Sequence, residues 1–139
     1  KMTTKTNRII TIGLAMLFIL SFLMPALQGP LGIKFNGFSV FVANLATVVF
    51  VEGLSAYLFF LFAALTNLWV VLLLIWSVRR KVKIVPTLIL SLLAITSALS
   101  WKFNMEGEGV LLIGYWFWAI SILLIISFTI YRSFRNPAI

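Results

Sequence analysis

The chain contains no cysteine, no histidine and no aspartate, and only three acidic residues, Glu52, Glu106 and Glu108, among 139. Without cysteine there is no disulfide, no thiol chemistry and no thiolate metal site. Without histidine, the usual general base and the commonest metal ligand are gone. Serine and threonine are plentiful, but no His, Asp or Cys can activate them as nucleophiles. No glycine-rich phosphate loop occurs. A non-enzymatic protein is expected, with no catalytic residues, no metal and no cofactor.

Charge is scarce as well, at 10% of residues, whereas 63% are hydrophobic. An ordinary soluble domain is roughly half apolar and a quarter charged. A chain of this length cannot hide such an excess in its own core, so lipid is the expected solvent for much of it. The net charge of +8 does not indicate nucleic acid. The basic residues form short collars at the ends of apolar runs and no continuous face. Such collars suit anionic lipid headgroups.

Four apolar runs approach the roughly 20 residues that a transmembrane helix needs. They are Ile9 to Leu27, Leu54 to Val78, Ile84 to Trp101 and Val110 to Tyr131. Lys1, Lys5 and Arg8 precede the first, Arg79, Arg80, Lys81 and Lys83 follow the second, and Arg132 and Arg135 follow the fourth. Positive charge is retained on the cytoplasmic side. The expected fold is therefore an all-α bundle of four transmembrane helices in one domain, with both termini cytoplasmic. The first run begins with basic residues, as a signal peptide does. Its apolar core is longer than the usual h-region and no clear A-x-A site follows, so a retained anchor is expected.

The segment Phe35 to Val51 is apolar but short. A single helix from Phe38 to Val78 would be about 61 Å long, twice the hydrocarbon thickness of about 30 Å. Two full spans hinged at Glu52-Gly53 would place Arg79 to Lys83 outside. Plotted at about 100° per residue, Asn36, Ser39, Asn44 and Thr47 fall in a sector of about 140°, and the rest of the surface is Phe, Val and Leu. An amphipathic helix over about 35–51 is expected, lying at the outer interface or folded back on the bundle. A re-entrant hairpin is the alternative.

Few residues carry candidate chemistry. Glu52 is the one acid close to a span, and it reads either as a wet break before the second span or as a cation or proton site. Asn67, with Trp69 beside it, lies within the second span. A buried amide there needs an interhelical hydrogen bond or a ligand. Ser91, Ala94, Ser97 and Ala98 offer a small-residue face for close helix packing, which predicts that the third span is the best buried. Trp101, Tyr115, Trp116 and Trp118 gather at the outer ends of the third and fourth spans. They read as an interfacial belt or as a surface that docks lipid or a partner.

The landmarks Met24-Pro25-Ala26-Leu27, Gly37-Phe38, Asn67-Leu68-Trp69, Ser97-Ala98-Leu99-Ser100-Trp101 and Gly114-Tyr115-Trp116-Phe117-Trp118 occur in an order that resembles small four-span bacterial membrane proteins. That resemblance implies an integral protein of the bacterial inner membrane and transfers no activity. The expected function is that of an accessory subunit or modulator of a larger membrane complex, or an immunity-type protein. Its partners would be membrane lipids and a membrane protein or a second copy of itself. The alternatives are an oligomeric transporter or channel using Glu52 and Asn67, and lipid binding or sensing at the outer leaflet.

Overall fold

The computed structural model describes residues 4–50, 52–78, 82–105 and 110–135. Their order is α1 (Thr4–Leu23), β1 (Pro25–Gln28), β2 (Lys34–Asn36), α2 (Gly37–Phe50), α3 (Leu54–Ala64), α4 (Thr66–Val78), α5 (Ile84–Met105), β3 (Val110–Leu111) and α6 (Ile113–Arg135). The chain is mostly helical, as its long Leu, Ile and Ala runs dictate.

The helix ends have local causes. Pro25 has no backbone N–H to continue α1, and the chain turns into β1. Asn36 caps α2, its side-chain oxygen accepting the Ser39 N–H at 2.8 Å, which satisfies one orphan donor. Gly53 has φ +97°, a conformation that favours glycine, and it separates α2 from α3. Pro86 lies in the first turn of α5, where a missing N–H costs nothing.

Two of these helices, Lys5–Leu23 within α1 and Ile113–Arg135 as α6, are long and apolar enough to cross a membrane. The second apolar run is not one uninterrupted helix. Leu65 forms a turn between α3 and α4, although the Leu65 and Trp69 N–H groups still bond to the Leu61 and Leu65 carbonyls at 3.0 Å. The first run also ends earlier than expected, at Leu23, and the fourth helix begins only at Ile113 and continues to Arg135.

The unforeseen element is a three-stranded sheet in the order β2-β1-β3. β1 pairs antiparallel with β2, Leu27 opposite Phe35, and with β3, Leu27 opposite Leu111. The Gly29 N–H donates to the Ile33 carbonyl at 2.9 Å, across the turn. Further bonds tie the sheet to the helices, with Gly37 donating to Met24 at 3.2 Å and Leu112 donating to Ala26 at 2.9 Å. The sheet thus locks the end of α1 to the starts of α2 and α6.

Two contacts fix the helix directions. The Trp118 indole N–H, near the start of α6, donates to Asn67, at the start of α4, at 3.1 Å. The Thr11 hydroxyl, early in α1, lies 3.4 Å from that of Ser77, late in α4. Helices α4 and α6 therefore run in one direction and α1 runs against them. The start of α1 and the end of α6 share the end of the bundle opposite the sheet.

The core joins α1, α4, α5 and α6 through Phe18, Val70, Leu73, Ala94, Ile122, Ile125 and Ile126. Helix α6 is its centre, with buried residues from Gly114 through Tyr115, Ser121, Ile125 and Thr129 to Ser133. This corrects the expectation that the third span is best buried. Ser91, Ala94 and Ser97 of α5 are buried as its small-residue face requires, but α6 packs on α1, α4, α5 and β1 together.

The interior is rich in small hydroxyls. Thr11, Ser21, Ser77, Thr87, Ser97, Ser121, Thr129 and Ser133 are buried, and each donates to a backbone carbonyl three or four residues earlier in the chain. Satisfied in this way, they act as small surfaces that let helices approach. The exterior is apolar. Ile9, Ile12, Met16, Ile19 and Leu23 form one exposed stripe on α1, and Ile113, Trp116, Ile120, Leu123, Leu124 and Tyr131 form another on α6.

Candidate functional site

Beneath the sheet, α1, β1, α2, α4 and α6 leave a half-open recess. Its cavity volume is about 40 Å³, and the lining is almost wholly apolar. Ser21 and Phe22 come from α1, Ala26 from β1, Val40 and Phe41 from α2, Asn67 from α4, and Tyr115 and Trp118 from α6, with Gly37 and Gly114 completing the wall.

Two glycines make the recess. A Cβ on Gly114 would stand 2.5 Å from the Pro25 carbonyl oxygen and 2.8 Å from that of Met24. A Cβ on Gly37 would stand 2.9 Å from the Phe22 Cα. Only glycine lets α6 and α2 come this close to the turn that follows α1. The aromatic rings then meet edge to face. Phe22 lies 6.3 Å from Phe41 at 89° and 5.3 Å from Phe18 at 81°, arrangements that aromatic quadrupoles favour. Tyr115 packs on Trp118 at 5.7 Å.

The polar content is small and specific. The Asn67 side-chain oxygen accepts the Trp118 N–H, so Asn67 has an interhelical partner in apolar surroundings. Its amide hydrogens and the Tyr115 hydroxyl engage no partner among the described residues, and neither group is sealed off. The recess therefore presents almost wholly apolar walls. It holds no pair of titratable side chains suited to acid-base work.

Asn67, Tyr115 and Trp118, three of the residues marked from the sequence, are thus brought together. Trp116 is exposed on the other side of α6, its ring 5.4 Å from Tyr115. Trp69 packs against the core, and its indole N–H is buried with no partner among the described residues. Glu52 is exposed in the link between α2 and α3, away from the recess. The side chain of Trp101, and Glu106, Glu108 and Arg79 to Lys81, lie outside the described residues.

Sequence reasoning missed Ser21, Phe22, Ala26, Gly37, Val40 and Gly114 as parts of one site. One signal was present. Pro25 to Asn36 is two short runs around Gly29-Pro30-Leu31-Gly32, which is the composition of a hairpin. No known protein family, curated protein or solved structure matches the chain.

Proposed function

We propose that the chain is a four-span integral membrane protein that acts by binding, as an accessory subunit or modulator of a larger membrane complex. The first and fourth spans are α1 and α6, the second is α4 with the end of α3, and the third is α5. Helix α2, with the start of α3, lies along the bilayer interface at the sheet end. The basic ends of α1 and α6 face the cytoplasm of a bacterial cell.

The observation that carries this reading is the distribution of side chains. Among the described residues, thirty-five large apolar side chains are exposed, against eleven apolar side chains buried. A soluble monomer exposes single apolar residues but not continuous stripes of them along helix after helix. In a bilayer the same stripes meet a solvent as apolar as themselves, and small interior residues supply the packing. Binding rather than catalysis is supported by the absence of His, Asp and Cys and by the apolar recess.

The test is gentle purification of the tagged protein from its native membrane, with mass spectrometry of what co-elutes. A stoichiometric membrane-protein partner is the expected result. A monomer or homo-oligomer without partners would remove the accessory reading.

A further inference from the structure

We propose that the turn joining β1 to β2 docks on the extracytoplasmic part of the partner protein, with the Leu31 side chain seated in an apolar pocket rimmed by carboxylates. The proposal rests on the accessory reading above and names the contact surface that such a subunit uses.

The turn lies beyond the level that lipid reaches. Helices α1 and α6 meet with Gly114 against the Met24 and Pro25 carbonyls. The pairing then continues outward in register, with Leu112 bonded to Ala26, Leu111 opposite Leu27 and Val110 opposite Gln28. The sheet therefore prolongs the α1–α6 pair, and residues 29–33 form its far edge. Residues 113–131 of α6 measure about 28 Å, close to the roughly 30 Å of a hydrocarbon core. Headgroups add about 5–7 Å on that side. The four residues of β1 reach about 13 Å, so the turn at their end stands in water.

Water makes Leu31 anomalous. Its side chain is 98% exposed, more than any other large apolar side chain among the described residues. It is also the one described residue other than glycine with a positive φ, +64°, where glycine or asparagine would sit with less strain. The exposed stripes on the helices face lipid and need no partner. Leu31 has no such solvent, and its exposure and its backbone both favour a different residue. A contact outside the chain explains a side chain that is strained and exposed at once. Ile33, Phe35 and Val110 are exposed on the same turn and sheet. With Leu31 they give this end an apolar surface in water, which a protein partner covers.

Charge separates a different protein from a second copy. Lys34 is exposed and follows the turn directly. A two-fold contact at the turn would bring Lys34 close to the Lys34 of the other copy, where like charges repel. A carboxylate rim attracts it instead. The chain alone leaves the turn open to water, and a partner in stoichiometric amount covers it.

The test compares Leu31→Asn and Lys34→Glu with the wild type, each tagged, produced at native level and purified in mild detergent. Mass spectrometry gives the ratio of each co-eluting membrane protein to the chain. Asparagine accepts a positive φ, so Leu31→Asn should melt at or above the wild-type temperature. It should nevertheless retain less than about a tenth of the wild-type amount of partner, the scale of one buried leucine. Lys34→Glu should lower retention of the same protein and Lys34→Arg should keep it. A diazirine amino acid at position 31 should crosslink to that protein in intact cells, whereas one at position 19, on the exposed stripe of α1, should give lipid adducts.

Equal retention of a partner by the wild type and by a folded Leu31→Asn overturns the docking site and leaves the accessory reading standing. A wild-type chain that brings down no partner overturns both. Lipid adducts at position 31 place the turn in the bilayer and overturn the docking site. Adducts to a second copy assign the turn to a homodimer and overturn the different protein. If Leu31→Asn unfolds, Lys34→Glu and the crosslink decide the question.

Discussion

Replacing Gly114 with alanine tests the account of how the recess is built. The added Cβ would meet the Pro25 carbonyl oxygen at 2.5 Å and the Met24 oxygen at 2.8 Å. A relaxed carbon-to-oxygen contact is about 3.3 Å or more, so α6 and the turn after α1 must separate by about 0.8 Å. Both sides are backbone and no flexible side chain can yield. Overpacking of this kind costs about 1–3 kcal/mol. The same movement stretches the bond from Leu112 to Ala26, now 2.9 Å, worth about 0.5–1.5 kcal/mol net. The expected loss is about 2–4 kcal/mol. The control is Gly13→Ala in α1, where a Cβ meets nothing within 4 Å. There alanine should stabilise by about 0.5–1 kcal/mol through helix propensity. Thermal unfolding of both variants in one detergent, followed by tryptophan fluorescence, should lower the Gly114→Ala midpoint by roughly 5–15 °C and leave Gly13→Ala at or above wild type. A Gly114→Ala midpoint equal to wild type would refute the close approach of α6 to the turn.

Other substitutions probe separate contacts. Asn67→Leu removes the acceptor for Trp118 and should destabilise by about 0.6–1.7 kcal/mol, the range for interhelical bonds in membrane proteins. Chemical denaturation in mixed micelles would measure it. Gly37→Ala places a Cβ 2.9 Å from the Phe22 Cα and should cost about 1–3 kcal/mol. Its melting curve checks this, with a wild-type midpoint the contrary outcome. Leu31 is 98% exposed with φ +64°, a left-handed conformation that costs leucine about 1–2 kcal/mol. Leu31→Gly should therefore raise the melting temperature, and a fall would show that the side chain contributes more than its strain removes. Leu73→Ala empties a fully buried core position on α4 and should cost about 2–5 kcal/mol, readable in the same unfolding assay.

The helices were legible because their signal is local. Apolar runs can be read directly, although the expected first run carried on past Pro25 to Leu27 and the expected outer helix took in Asn36, which instead caps α2. Asn67 was legible for a related reason, since an amide inside an apolar run demands a partner. The sheet was not, because its strands are only two to four residues long and β3 pairs with β1 across more than 80 residues of chain. No local pattern encodes such a pairing, and the apolar content of Pro25 to Leu27 and of Val110 to Leu112 let both be absorbed into the neighbouring helices. The turn at Leu65 has no proline or glycine to announce it. The central burial of α6 was hidden for another reason. Small residues on α5 reveal a packing face, but which helix is surrounded depends on how many neighbours converge on it. Gly37 and Gly114 carry no visible signal as isolated glycines. Their role emerges only when another backbone is seen against them.

The central claim is that the exposed apolar stripes face lipid while the two ends of the bundle face water. The natural absence of cysteine permits a direct measurement, the labelling of single-cysteine variants by a membrane-impermeant maleimide in intact cells and after permeabilisation. Leu31→Cys at the sheet turn should label in intact cells, Lys83→Cys only after permeabilisation, and Leu72→Cys, exposed midway along α4, only once the membrane is dissolved and the protein denatured. Ready labelling of Leu72→Cys in intact membranes would place that stripe in water and contradict the account.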